Sequence, residues 1–124
     1  MNMYDIFINK LIDWCEEYNI SNDIVFKLVD GEYIYYEFDG KLTKCLALTY
    51  YKKTENIRWN YIEILNRMTN EFLATSVLWH EFCHCEPWIE DGISEGHGDK
   101  WLRRLWRKPL YAIGQWLAKI VYRG

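Results

Sequence analysis

Two histidines four residues apart enclose a glutamate in the run Trp79-His80-Glu81-Phe82-Cys83-His84. On a helix, positions i and i+4 lie one turn apart on the same face, so His80 and His84 can offer two imidazole nitrogens to a single Zn²⁺. Glu81 comes directly after the first of them. Its carboxylate then projects beside the metal, where it can take a proton from a zinc-bound water and return it to a leaving amine. The chemistry this pattern points to is metal-assisted hydrolysis of a peptide bond. Five residues of this kind also arise by chance, so the setting decides.

That setting must be a helix, and Glu71 to Cys85 reads as one, with Phe72, Leu73, Ser76, Val77, His80 and His84 at spacings of three and four. Thr69 and Asn70 are candidate caps, and Pro87 is expected to stop the helix by removing a donor and crowding the preceding turn. A third ligand must then come from the chain that follows. The sequence has 3 histidines, and the remaining one is His97. Between His84 and His97 lie the turn-formers Pro87, Asp91, Gly92, Ser94 and Gly96, as a returning loop requires. Gly96 and Gly98 flank His97 and let the backbone approach the metal, and Asp99 is placed to cap a helix beginning at Lys100. Cys83 and Cys85 bracket His84, but Cys83 reads as a small packed hydrophobe rather than a thiolate ligand.

His80-Glu81-Phe82-Cys83-His84, followed after a loop by His97-Gly98-Asp99-Lys100-Trp101, resembles the SprT-like zinc metallopeptidase family, whose pattern is His-Glu-x-x-His, a loop, and His-Gly-x-x-aromatic. Asn56 to Asn60, with the apolar turn Ile62 to Leu65 after it, is similar to the lead-in strand of that family, so the resemblance spans about Val25 to Trp106. It implies a zincin-like α+β fold, a Zn²⁺ cofactor held by His80, His84 and His97, and Glu81 as general base and acid. The family includes Spartan-type proteases that cut proteins crosslinked to DNA, so the implied partners are a protein or peptide substrate and DNA. Two departures stand out: no zinc ribbon follows the protease pattern, and cysteines occupy positions 83 and 85 in place of small or aliphatic residues. By the same resemblance, Ile57 to Asn60 is the candidate edge strand for pairing with an extended substrate; an ordinary structural strand is the equal alternative.

Further elements must position these groups. Tyr4, Phe7, Leu11, Trp14, Cys15 and Tyr18 recur at helical spacing and predict an amphipathic first helix within residues 1–20. Asp30-Gly31 separates two β-prone runs, Val25 to Val29 and Tyr33 to Phe38, and reads as a hairpin turn. Asp39-Gly40 repeats the signal before a third strand, Lys44 to Tyr51, and Lys52 to Asn56 reads as a polar loop. The expected architecture is a small, mostly antiparallel sheet of three to four strands, packed with the first helix, the His-bearing helix and C-terminal helices. Pro109 is expected to end the helix after His97. Leu110, Ile113, Leu117, Ile120 and Val121 then form one side of a last helix, with Trp116 adjoining, and that side is expected to close the core.

At 124 residues, 50% hydrophobic and 18% aromatic, the chain is sized for a single domain, residues 1–124, with its aromatics enlarging a small core. No signal peptide or membrane-spanning run is legible, so a cytoplasmic protein with its 4 cysteines as free thiols is expected, with no membrane partner. Charge is unevenly spread. Residues 1–40 carry 9 acids and 2 bases, whereas Lys100 to Gly124 holds 7 bases and no acid. Arg103, Arg104, Arg107 and Lys108, interleaved with tryptophans, suit contact with nucleic acid, or else pair with the chain's own acidic half. Two other functions compete with the peptidase: a catalytically silent, zinc-stabilised adaptor, and a regulatory protease specific for one cellular protein. No residue pattern specifies the oligomeric state or the oxyanion-stabilising side chain.

Overall fold

The computed structural model describes residues 2–93 and 96–123. Ser94, one of the expected loop's turn-formers, and Glu95 lie outside the described residues. The elements run α1 (Met3–Glu17), β1 (Ile24–Val29), β2 (Ile34–Phe38), β3 (Lys41–Cys45), β4 (Ala47–Thr54), β5 (Ile57–Leu65), α2 (Glu71–Asp91), α3 (Asp99–Leu105) and α4 (Pro109–Tyr122). This is an α+β fold, as the sequence led us to expect. No helix among the described residues is long and apolar enough to cross a membrane.

The main sheet has the order β1-β5-β4, with β5 parallel to β1 and antiparallel to β4; β2 and β3 form a separate antiparallel hairpin. The expected Asp30-Gly31 hairpin between β1 and β2 does not form. Asp30 instead accepts a hydrogen bond from Asn66 Nδ2 at 3.2 Å, just beyond the end of β5, which ties β1 to its parallel neighbour. The turn signal works at Asp39-Gly40, where both residues have positive φ (52° and 75°) and Phe38 faces Lys41 across the hairpin. The single strand expected over Lys44 to Tyr51 is split at buried Leu46, and β4 continues through the supposed loop to Thr54. Ile57 to Asn60 is not a separate short strand but the start of the nine-residue β5, and Ile62, Ile64 and Leu65 are its buried end rather than a turn. Its first three residues pair with β4 alone, since β1 begins opposite Asn60, whereas β4 is an edge strand along its whole length.

Helix α1 is capped by Asn2, whose Oδ1 accepts from the Asp5 amide at 2.9 Å, and it buries Phe7, Leu11, Trp14 and Cys15. Trp14 meets Trp79 and Phe82 of α2 with ring centroids 5.0 and 5.5 Å apart. Burying aromatic rings of this size supplies much of the driving force available to a small domain.

Helix α2 starts as expected, with Asn70 Oδ1 accepting from the Leu73 amide at 3.0 Å. It does not stop at Pro87. The proline sits inside the helix, fully buried beside Cys85 and Glu86, so tertiary burial outweighs the one lost donor. The end comes at Gly92 (φ 69°), whose amide bonds Trp88 O in the αL capping arrangement, while the Ile93 amide reaches back to Pro87 O.

Three further expectations about the last helices are corrected. Gly98, not Asp99, is the N-cap of α3, which ends at Leu105, and Pro109 opens α4 at its first turn, where a missing amide costs nothing. The side of α4 expected to close the core faces outward: Leu110 is 72% exposed, Ile120 73% and Val121 58%. The helix packs instead through Ala112, Gly114, Gln115 and Ala118. Gly114 explains why. A Cβ there would lie 2.1 Å from Ser76 Oγ and 2.9 Å from Ser76 Cβ, so α4 approaches α2 more closely than any larger residue permits.

Candidate metal centre

His80 and His84 sit on one face of α2 as their spacing demands, and the chain after α2 returns His97 to them. His84 Nε2 lies 3.3 Å and His97 Nε2 3.2 Å from His80 Nε2. One ligand atom from each of the three lies within 4.8 Å of the others. Three nitrogens at ~2.0–2.1 Å from one tetrahedral ion would stand about 3.3 Å apart, the value found for both separations from His80, so the group could hold a metal ion.

Protonation suits the same role. Burial pushes His80 down to about 3, with His97 and Lys119 adding to the effect and its hydrogen bond to Gln115 opposing it. Burial also lowers His97, helped by Lys119 and opposed by Glu81. Both rings are therefore neutral at ordinary pH, as metal ligation requires.

Glu81 shares the site, with Oε1 3.9 Å from His80 Nε2. Its Oε2 accepts a short hydrogen bond from the Thr49 hydroxyl on β4. Burial raises the Glu81 carboxyl above its ordinary value, against the pull of His84, Thr49, His97 and Lys119. A carboxylate with a raised proton affinity is matched to general-base work near neutral pH. Tyr51, two residues beyond Thr49 and so on the same face of β4, donates to His84 O at 3.2 Å. The two-residue period of β4 thus fixes two successive parts of the α2 motif.

Trp101, four residues after His97, backs the centre. Its ring stacks on His84 at 5.4 Å, meets His80 and His97 at 4.9 and 4.6 Å, and its indole donates to His80 O at 3.3 Å. The histidines and Glu81 open into a cleft of about 650 Å³, walled by Ala47, Leu48 and Thr49 of β4, Tyr36 and Phe38 of the β2–β3 hairpin, and Lys119 of α4.

All four cysteines are free, and Cys83 and Cys85 are fully buried, their thiols pushed well up by desolvation. Neither belongs to the group of candidate ligands.

The basic cluster is placed differently from the histidines. Arg107 grips buried Glu86 with both guanidinium nitrogens, Nη1 at 3.0 Å and Nη2 closer, and lies over the Tyr18 ring. Arg104 Nε is 3.8 Å from the same carboxylate. Lys108 bonds both oxygens of Glu17 at 3.0 and 3.1 Å. Arg103 is exposed.

Sequence reading missed Gln115, Thr49 and Lys119. Gln115 carried a signal: it is the polar residue among Ala112, Gly114 and Ala118 on one side of an otherwise apolar helix. Thr49 and Lys119 carried none, because their roles follow from β4 and α4 meeting α2.

No curated protein and no solved structure matches the chain. The SprT-like family model matches residues 15–108, which include β4, the whole of α2, His97 and Trp101. The convergence of three histidines on one point thus falls within a matched region covering most of the sequence, and the chain belongs to the SprT-like family.

Proposed function

We propose that this chain is a zinc metallopeptidase that hydrolyses peptide bonds in protein or peptide substrates, with the metal held by His80, His84 and His97. The observation that carries the reading is the meeting of three imidazole nitrogens with a buried carboxylate, Glu81, at the floor of an open cleft. Bound there, Zn²⁺ would supply a Lewis acid that polarises the scissile carbonyl and acidifies a water. Glu81 takes up the proton and later delivers it to the departing amine. Thr49, by holding Oε2, leaves Oε1 as the oxygen on the histidine side. Buried Trp101 excludes water behind the ligands. Along the cleft wall, β4 is paired only on its β5 side among the described residues, so its outer edge is available to the main chain of an extended substrate. Pairing of that kind gives affinity with little demand on sequence.

A silent adaptor has no need of a carboxylate oriented by a dedicated hydroxyl beside the ligands, so the Thr49–Glu81 bond favours catalysis. For the basic segment, the partners found for Arg104, Arg107 and Lys108 favour an internal electrostatic role over contact with DNA. The test is Glu81→Gln, which keeps size and removes the base. It should retain one zinc per chain while peptide-bond hydrolysis falls at least about a hundredfold. Equal cleavage by both proteins would refute the role of Glu81, and no zinc on the wild-type protein would refute the metal centre.

A further inference from the structure

The family match ends at residue 108, and α4 begins at Pro109, yet α4 reaches the metal centre. Resting on the zinc reading above, we infer that Gln115 is a positioning residue for His80, setting which ring nitrogen faces the metal and holding the ring in place. Gln115 Oε1 lies 2.8 Å from His80 Nδ1. The amide is oriented by its other end, since Nε2 donates to Ala112 O at 3.2 Å, one turn back on α4. An amide oxygen only accepts, so the imidazole proton is on Nδ1 and the lone pair is on Nε2, the atom that faces His84 and His97. Gln115 is 1% exposed, so water has no access to replace it.

The packing of α4 makes this contact. Ser76 and His80 lie one turn apart on α2, and Gly114 and Gln115 are adjacent on α4. Gly114 seats against Ser76, which brings Gln115 onto His80. A ligand's outer hydrogen bond fixes ring orientation and raises the basicity of the coordinating nitrogen, and its loss costs about 10- to 100-fold in metal affinity. The alternative is that Gln115 merely satisfies its own buried amide. That role would leave metal affinity untouched.

The experiment measures the zinc dissociation constant of the full chain by competition with a chromogenic chelator, with apo-protein folding followed by circular dichroism. Wild type is titrated first, and a wild type that takes up no zinc overturns the metal reading and this inference together. Gln115→Met has nearly the same shape and no oxygen acceptor, so it should fold and bind zinc about 10- to 100-fold more weakly. Gln115→Glu restores an oxygen to the same place and should bind more tightly than Gln115→Met by a similar factor. If Gln115→Met does not fold, Gln115→Asn, too short to reach Nδ1, replaces it with the same expectation. A folded Gln115→Met or Gln115→Asn with wild-type zinc affinity overturns the inference and leaves the metal centre standing. So does Gln115→Glu binding no more tightly than the variant without a reaching acceptor.

Discussion

Replacing Gly114 by Ala tests the geometry that joins α4 to α2. The added methyl would sit 2.1 Å from Ser76 Oγ, 2.9 Å from Ser76 Cβ and 3.0 Å from Phe72 Cε1, whereas carbon atoms rest about 3.5–4.0 Å apart. Ser76 Oγ is held by its bond to Phe72 O at 2.8 Å, and its Cβ is fixed to the helix, so the clash is relieved mainly by moving α4 outward, by on the order of 1 Å. Overpacking of this kind costs about 1–3 kcal/mol, and the better helix propensity of Ala returns about 1 kcal/mol. The net loss is then up to about 2 kcal/mol, or a fall in Tm of roughly 4 °C per kcal/mol for a chain of this size. The same movement draws Gln115 away from His80, so zinc affinity should fall with stability. Thermal melting of the apo protein and chelator competition give the two readouts. Ser76→Gly removes two of the three offending atoms, so in a double-mutant cycle it should recover both properties in the Gly114→Ala background. Gly114→Ala with unchanged Tm and unchanged zinc affinity would refute the close packing and the positioning that follows from it.

Other outcomes are expected. His97→Ala should lose bound zinc, measured by metal analysis after dialysis, with α2 preserved by circular dichroism, since the other two ligands lie on one helix and the third comes from a different segment. Arg107→Leu should destabilise the fold in urea by up to about 3–5 kcal/mol, because it leaves the buried Glu86 carboxylate with only the more distant Arg104 beside it; the paired change with Glu86→Gln should cost less. The Lys108 ammonium holds the Glu17 carboxyl below its ordinary value of 4.5. That stability is present above the ordinary value and lost as pH falls through the lowered one. Lys108→Gln should raise the Glu17 titration followed by NMR while costing under about 1 kcal/mol, since Glu17 is exposed.

The histidine cluster was legible in the sequence because its arrangement is local: a four-residue spacing is a statement about one helix face, and His97 was the remaining histidine. Partner choice between strands is not local. Asp30-Gly31 and Asp39-Gly40 carry the same turn signal, yet only the second closes a hairpin, because β1 gains a parallel neighbour in β5 that no short stretch of sequence announces. Pro87 misled for a related reason, since its local penalty is outweighed by burial that only the folded chain supplies. Helix α4 was read inside out. Its large apolar residues marked one side as the expected core, whereas Gly114 and its small neighbours made the opposite side the only one that fits against Ser76.

The parallel pairing of β1 with β5 sets the order in which the chain can assemble. Ile24 lies opposite Asn60, 36 positions later, while Thr54 meets Ile57 across a two-residue turn and Phe38 meets Lys41 likewise. Closing the long loop costs more chain entropy than closing either hairpin, and hairpins of that size form in about 1–10 μs. The β4–β5 and β2–β3 ribbons therefore precede the docking of β1 and, with it, α1. Residues that build the cleft lie from β2 onward, so the histidine cluster and its supporting strand can come together before the first thirty residues close over the back of α2. Destabilising substitutions in β1 or α1 should accordingly speed unfolding far more than they slow folding, and those in β4 or β5 should do the reverse.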